Sequence, residues 1–492
     1  MQFLRDLTLL TLLASMVLRP VVADDDDLPD IGSPADTVLS KENEMLIGRS
    51  IYKSLRDADR LVTDPETQEY IQNVGQRIAA NAQNGDFRFT FFVVDDPAIN
   101  AFALPGGYIG VHSGLLLATQ NESELAGVMA HEISHVTQRH ISRAIYASSR
   151  QSILTMAAML GAILLGAATG EGDIIAGGVA GAQTMGQQQQ INFTRSNEYE
   201  ADRVGVGLMA ASGFDPYGMP DFFETLARKT GTLASQAPEF LRTHPVTVNR
   251  IAETRSRADN YPEVEAVETA SYSLIRARLR LLESATPEDA VAYFKGEQRL
   301  AERAGDIGTE YGIALAQLEL GQVEQANRKF AELLIANEGT IHFHSGYAAT
   351  QLALGDVDGA FATFDNAIEL FPRNVPLTVR YAEALLTNDE PGRAHQLLLD
   401  LYNQVPPTPE QVRLIALAAS AAGDTADAHY YMAEYHLLVG DLMMASDQLR
   451  LALGIPGLDS VQRARFRSRL EQIQGYMPRG GRTRQTNKPP GR

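Results

Sequence analysis

The sequence has no cysteine in its 492 residues. That absence excludes disulfides, a thiol nucleophile and the acylated cysteine of a bacterial lipoprotein. Positive charge is scarce as well: 42 Lys and Arg stand against 61 Asp and Glu, a formal net charge of −19. No basic stripe appears before the last few residues, which argues against nucleic acid as a partner and against general adsorption to anionic lipid. Long apolar runs are missing too. Leu7 to Leu18 and Ile153 to Ala168 both fall short of the roughly 20 residues that span a bilayer. What remains is ample core material, 45% hydrophobic residues in a chain long enough for two or three domains.

The ends of the chain carry addresses rather than folds. Arg5, the apolar run and Val21-Val22-Ala23 read as a secretory signal peptide over residues 1–23, cleaved to leave an acidic linker over 24–40 that begins Asp24 to Asp27. The expected location is the periplasm. At the other end, residues 476–492 are rich in Gly, Pro and Arg and read as a disordered basic tail.

The chemistry centres on Gly127-Val128-Met129-Ala130-His131-Glu132-Ile133-Ser134-His135-Val136. Asn121 is a plausible N-cap with Glu124 three residues on. Leu125, Val128, Met129, Ile133 and Val136 recur at helical spacing, so one stripe faces a core. His131 and His135 lie one turn apart on one face and can hold one ion, while Glu132, about 100° round the axis, stands beside it as a base. The five-residue pattern also arises by accident on amphipathic helices. A second helical segment, Asn192 to Asp202, strengthens it: Glu198 and Asp202 share a face, Glu198 can supply a third ligand, and Asp202 can orient a ligating imidazole. Glu200 points elsewhere and reads as a solvated surface charge.

H-E-x-x-H followed by E-x-x-A-D resembles the zinc metallopeptidase family of HtpX and the CAAX-motif prenyl proteases. The likeness extends upstream to Asn100 to Ile109 and downstream to Thr243-His244-Pro245 with Arg250 and Ile251, covering roughly residues 41–260. It implies one zinc ion per chain, ligated by His131, His135 and Glu198, with Glu132 as general base. It also implies that His244, pushed off a helix end by Pro245, lies near the metal. There it would stabilise an oxyanion or take the open coordination position; otherwise it is a capping or surface histidine. His140, nine residues from His131, falls on the opposite helix face, and it reads as structural together with His112, His342, His344, His395, His429 and His436.

Around this motif, Ser40 to about Gln83 reads as helical with a break at Asp64-Pro65. Phe87 to Val94, Ile99 to Leu104 and Tyr108 to His112 read as strands, the last two joined through Pro105-Gly106-Gly107. The resemblance implies that an edge strand here binds substrate as an added strand; an ordinary hairpin packed on the helix reads equally well. The Ala/Gly/Leu-rich stretch 153–182 reads as a helical hairpin over the catalytic domain, or as a mobile lid or peripheral membrane contact.

The second half repeats. Ala326, Ala360, Ala394 and Ala428 are spaced by 34 residues, as are Gly321, Gly355, Asp389 and Gly423, and Phe330 recurs at Phe364. A 34-residue helix–turn–helix period is the tetratricopeptide (TPR) pattern, whose stacks present a groove to proteins. Gly440-Asp441 before Ala445 suggests a last, irregular unit.

The expected architecture is therefore mainly α with a small β-sheet: a zincin-like H-E-x-x-H metallopeptidase domain over 41–265 and an all-α TPR solenoid over 266–475. Export, a spanless zinc domain and a TPR array together resemble a periplasmic branch of the family. That likeness implies an endopeptidase acting on unfolded or misassembled outer-membrane β-barrel proteins and assisting their assembly. The TPR groove would contact the barrel-assembly machinery. The competing expectation is a TPR chaperone or scaffold for the same proteins with little proteolysis.

Overall fold

The computed structural model describes residues 39–82, 87–148, 195–230, 238–262, 264, 269–300 and 305–476. The expected signal peptide, nearly all of the acidic linker, the apolar stretch 153–182 and the basic tail past Tyr476 lie outside the described residues.

Two helices come first, α1 (Lys41–Asp57) and α2 (Pro65–Ala79), separated where Asp64-Pro65 was expected to break the pattern. Asp64 caps α2 by accepting from Thr67 N at 3.0 Å, and Pro65 at the first position has no N–H to leave unsatisfied. Strands β1 (Thr90–Val94), β2 (Ala101–Leu104) and β3 (Tyr108–His112) follow in spatial order β1-β3-β2, with β1 parallel and β2 antiparallel to β3. The first two are shorter than their apolar runs suggest. Gly106 and Gly107 turn the chain with φ of 78° and 88°, so β3 begins at Tyr108, opposite Thr90, and residues 87–89 have no strand beside them among the described residues. β2 is left as a sheet edge.

Helix α3 (Ser113–Ala118) leads into α4 (Glu122–Thr137), which carries the H-E-x-x-H motif. Instead of one buried stripe, every residue of α4 is buried. It runs through the largest core, with α2, β2 and two later helices packed around it, α6 (Arg195–Ala211) and α7 (Gly218–Thr230). Between α4 and α6 the short α5 (His140–Ser148) is described. Two glycines set the spacing. A Cβ on Gly127 would stand 2.9 Å from Met219 Cα of α7, and one on Gly205 of α6 would stand 3.3 Å from the Ala130 carbonyl carbon of α4. Close approach of three backbones is what seals the motif from water. Helices α8 (Glu239–Thr243) and α9 (Val248–Ala258) complete this half.

Twelve helices follow among the described residues, from α10 (Ala270–Leu282) through α11 (Pro287–Gln298) to α21 (Ser460–Tyr476). The repeat positions act as their chemistry suggests. Gly321, Gly355, Asp389 and Gly423 all have left-handed φ (75°, 79°, 59° and 84°), and each turns one helix back on the last. Ala326, Ala360 and Ala394 are fully buried between helices, with Phe330 and Phe364 filling the gaps. Gly440 turns at 84° only 17 residues after Gly423, which makes the last unit irregular.

The array wraps back onto the first half. Tyr272, Ile275 and Leu279 of α10 sit in the same core as α4, and Tyr272 Oη bonds the Thr119 carbonyl at 3.0 Å. Arg380 in the middle of the array reaches Asp64 at 2.7 Å and Glu66 at 2.9 Å, while Arg278 Nε donates to Asp64 at 2.9 Å. Arg49 of α1 donates to the Leu437 and Leu438 carbonyls near the far end.

Candidate metal centre

Helix α4 starts where Asn121 accepts from Glu124 N at 2.8 Å. The Glu124 carboxylate reaches back to Gln120 N rather than to the cap residue. From this helix His131 and His135 project together, with Nε2 atoms 3.0 Å apart. α6 brings Glu198 against them, at 3.5 Å from His131 Nε2 and 3.4 Å from His135 Nε2. α8 ends at Thr243, and His244, its C-cap, places Nδ1 3.3 Å from His131 Nε2 and 3.2 Å from Glu198 Oε1. The four donor atoms lie within 4.8 Å of one another, and all four side chains are buried. A tetrahedral zinc with bonds of about 2.1 Å holds its ligand atoms roughly 3.4 Å apart, so nitrogens and one carboxylate at these separations fit a single small cation.

Glu132 adjoins the cluster, with Oε1 3.5 Å from His244 Nε2, and is fully buried. Neither carboxylate oxygen closes a hydrogen bond among the described residues, although the Ala103 N–H of β2 draws its pKa down. A buried acceptor kept open in this way suits a group whose partner is transient. Asp202 stands behind His131, Oδ1 2.9 Å from Nδ1, the place of a carboxylate that orients a ligating imidazole. Each residue that the motif reasoning marked as a candidate, His131, Glu132, His135, Glu198, Asp202 and His244, is thus brought to one place.

The comparisons agree with this geometry. The sequence model of peptidase family M48 matches residues 65–258, and a tetratricopeptide-repeat model matches 351–418. A beta-barrel assembly-enhancing protease of Yersinia pestis is 34% identical over 455 residues, 91% of this chain and 92% of that protein. Its namesake in Escherichia coli is 33% identical over 475 residues, 95% of this chain and 96% of its own. The chain belongs to the beta-barrel assembly-enhancing protease family. A mitochondrial metalloendopeptidase of Schizosaccharomyces pombe is similar over a shorter span, 30% identical across 216 residues, 43% of this chain and 60% of that one. As a member of the assembly-enhancing protease family, the chain is a metallopeptidase with protein-binding repeats.

The electrostatics keep the Glu198 side of the cluster anionic. Burial pushes the Glu198 carboxyl up, but His244, His131 and His135 outweigh it and hold its pKa well below the usual range. Burial drives His135 well below its ordinary value, so that it is neutral. Burial would lower His131 too, but Asp202 and Glu198 raise it to about 9. A cation binding at its Nε2 must displace that proton, so metal uptake releases one. Glu132 is raised, by burial first and also by Glu198, against the pull of His244 and His131.

Two features go beyond the motifs: the role of Arg250, which the family resemblance included without a function, and the place of His140. Arg250 is 2% exposed and bridges the site: it grips Asp202 through two 2.7 Å bonds, reaches Glu198 at 2.9 Å, and donates to the Pro245 carbonyl at 2.9 Å. No spacing rule singles out an arginine 48 residues from its partner. The second is a correction. His140 is not on the far side of the motif helix, and Glu200 is not simply a solvated charge. α4 ends at Thr137, Arg139 takes a left-handed φ of 54°, and α5 returns His140 to within 2.8 Å of His135, with Glu200 on its other nitrogen. Residue 140 would face away from His131 only on an unbroken helix, and α4 has stopped three residues earlier.

Proposed function

We propose that this chain is a zinc-dependent endopeptidase of the periplasm that degrades misassembled outer-membrane β-barrel proteins and assists their assembly. The observation that carries the reading is the buried four-donor cluster with the open Glu132 carboxylate beside it. His131, His135 and Glu198 would hold the zinc, about one per chain, and the absence of cysteine leaves a nitrogen and oxygen set. Bound there, zinc supplies a Lewis acid that acidifies water and polarises a peptide carbonyl. Glu132 takes the proton of the attacking water at its carboxylate and returns it to the leaving amine; its raised pKa suits both halves of that shuttle. Asp202 keeps His131 in one tautomer, and Arg250 keeps Asp202 and Glu198 in place. A substrate strand adds to the β2 edge, beside α4.

His244, which stands among the donors, would close the resting site until substrate or partner displaces it. The remaining assignments follow the sequence: a cleaved signal over 1–23, a catalytic domain over 41–265 and a TPR array over 266–475 that contacts the barrel-assembly machinery, with α10 as the seam between the two. The family relation supports the substrate and partner classes.

The test is metal analysis paired with cleavage of an unfolded barrel protein. Purified protein should carry about one zinc, as one three-ligand site requires. Glu132→Gln should keep that zinc and lose cleavage. Wild-type cleavage by Glu132→Gln would overturn the mechanism, and a metal-free, inactive wild type that still promotes barrel assembly would favour a scaffold.

A further inference from the structure

We propose that His140 and Glu200 form an outer support for the metal centre, in which His140 fixes the tautomer and ring orientation of His135, and Glu200 fixes His140. The proposal rests on the reading of His135 as a ligand and adds two positioning residues to it.

The backbone is built to bring His140 there. After α4 ends, Arg139 adopts the left-handed φ of 54°, unusual for a residue with a side chain. The turn is tied down from outside: Arg139 donates to the Leu39 carbonyl at 2.8 Å and to Glu44 at 2.9 Å. Glu44 is itself buried and also takes the Ser142 hydroxyl of α5. His140, the first residue of α5, is fully buried with its ring 75° to that of His135, centroids 4.8 Å apart. Its Nδ1 lies 2.8 Å from His135 Nδ1, and its Nε2 lies 3.1 Å from Glu200 Oε2. Arg143, three residues further along α5, holds the same Glu200 oxygen at 2.9 Å. α6 therefore serves the centre twice, with Glu198 inside the cluster and Glu200 behind it.

The hydrogens leave one direction for this chain. A ligating His135 turns its Nε2 lone pair to the cluster, so its hydrogen sits on Nδ1. That N–H donates to His140 Nδ1, which must then be the bare nitrogen of its ring. The His140 hydrogen lies on Nε2 and donates to the Glu200 carboxylate. The reverse order would put a hydrogen on His135 Nε2, aimed at the metal position. Outer partners of this kind orient ligating histidines and raise their basicity. The two histidines are supported unequally: His131 meets the carboxylate of Asp202 directly, whereas His135 meets a carboxylate through a second imidazole.

The experiment measures zinc affinity of the purified full chain by competition with a chromophoric chelator, with the absorption spectrum of the cobalt-substituted protein and the melting temperature of the metal-free protein recorded in parallel. His140→Phe keeps the ring but removes the acceptor, and zinc affinity should fall about 10–100-fold, the usual loss for an outer partner. The cobalt spectrum should change while the metal-free protein melts near the wild-type temperature. Glu200→Gln, at a quarter-exposed position that tolerates the amide, should weaken zinc in the same direction. Because Glu200 acts through His140, the double variant should be no weaker than His140→Phe alone. Unchanged affinity and cobalt spectrum in both single variants, or losses that simply add, would overturn the proposal, as would a lowered melting temperature with an unchanged cobalt spectrum. His135→Ala separates the layers: if it retains zinc at wild-type affinity, the ligand reading itself has failed; if it loses zinc while His140→Phe does not, only the support has failed.

Discussion

Arg250 carries more of the site than its place in the sequence suggests. Two buried carboxylates, Asp202 and Glu198, face it, and burial alone would raise the pKa of each. Against burial, the guanidinium is the strongest force holding Asp202 below its usual value, with His131 next. Removing one partner from a buried, hydrogen-bonded ion pair typically costs about 3–5 kcal/mol, because the charge left behind is uncompensated. Arg250→Leu should lose stability on that scale in denaturant unfolding and weaken zinc retention in the same preparation. His244 makes a different prediction, since it sits among the donors with Nδ1 3.3 Å from His131 Nε2. His244→Ala should keep zinc and cleave peptides faster than wild type. A fall of roughly 10²–10³ at full metal would instead assign it to oxyanion stabilisation.

At the scale of elements, the site depends on how closely three helices approach. Gly127 lies where α7 crosses α4, and any side chain there meets the Met219 backbone at 2.9 Å. Gly127→Leu should destabilise the fold by about 1–3 kcal/mol or more through overpacking, and by moving α4 should also lower zinc content. Gly296, in α11, has open space around its Cβ position. Gly296→Ala should therefore gain about 0.5–1 kcal/mol from helix propensity, and chemical denaturation of the two variants checks both signs. The motif helix, the helix that carries Glu198 and the His244 turn were legible because each has a local cause: a cap, a period, a proline. The end of α4 was not. Nothing in Gln138-Arg139-His140 breaks a helix by composition; the left-handed turn exists because Leu39 and Glu44 are there to hold Arg139.

Over the whole molecule, the array and the metallopeptidase half are joined by charge as well as by α10. Burial raises the Asp64 carboxyl, but Arg278 and Arg380 overcome it and hold its pKa well below the carboxylate range. A carboxyl depressed on folding adds stability that is full above its unfolded pKa, near 3.9, and is lost as pH falls through the folded value. The junction should therefore hold through neutral pH and weaken only in strong acid. Arg380→Glu should loosen it at neutral pH. Arg380 is 30% exposed, so screening reduces the effect to about 1 kcal/mol. Limited proteolysis should then release fragments of the array sooner than in the wild type, and the protein should melt earlier.

The sequence by itself determined the chemistry and the period. H-E-x-x-H and the Glu198/Asp202 pair needed only helical geometry to be recognised, His244 was marked by the family resemblance, and the 34-residue recurrence of Gly321 and Ala326 needed only counting. Such signals are local, and local spacing survives any packing. Only the tertiary structure decided that α4 is buried on every side, that Arg250 joins Glu198 to Asp202, that His140 and Glu200 stand behind His135, and that Arg380 reaches Asp64 across 316 residues. The reason is physical: a buried polar group is placed by whichever distant partner satisfies it, and no window of sequence contains both.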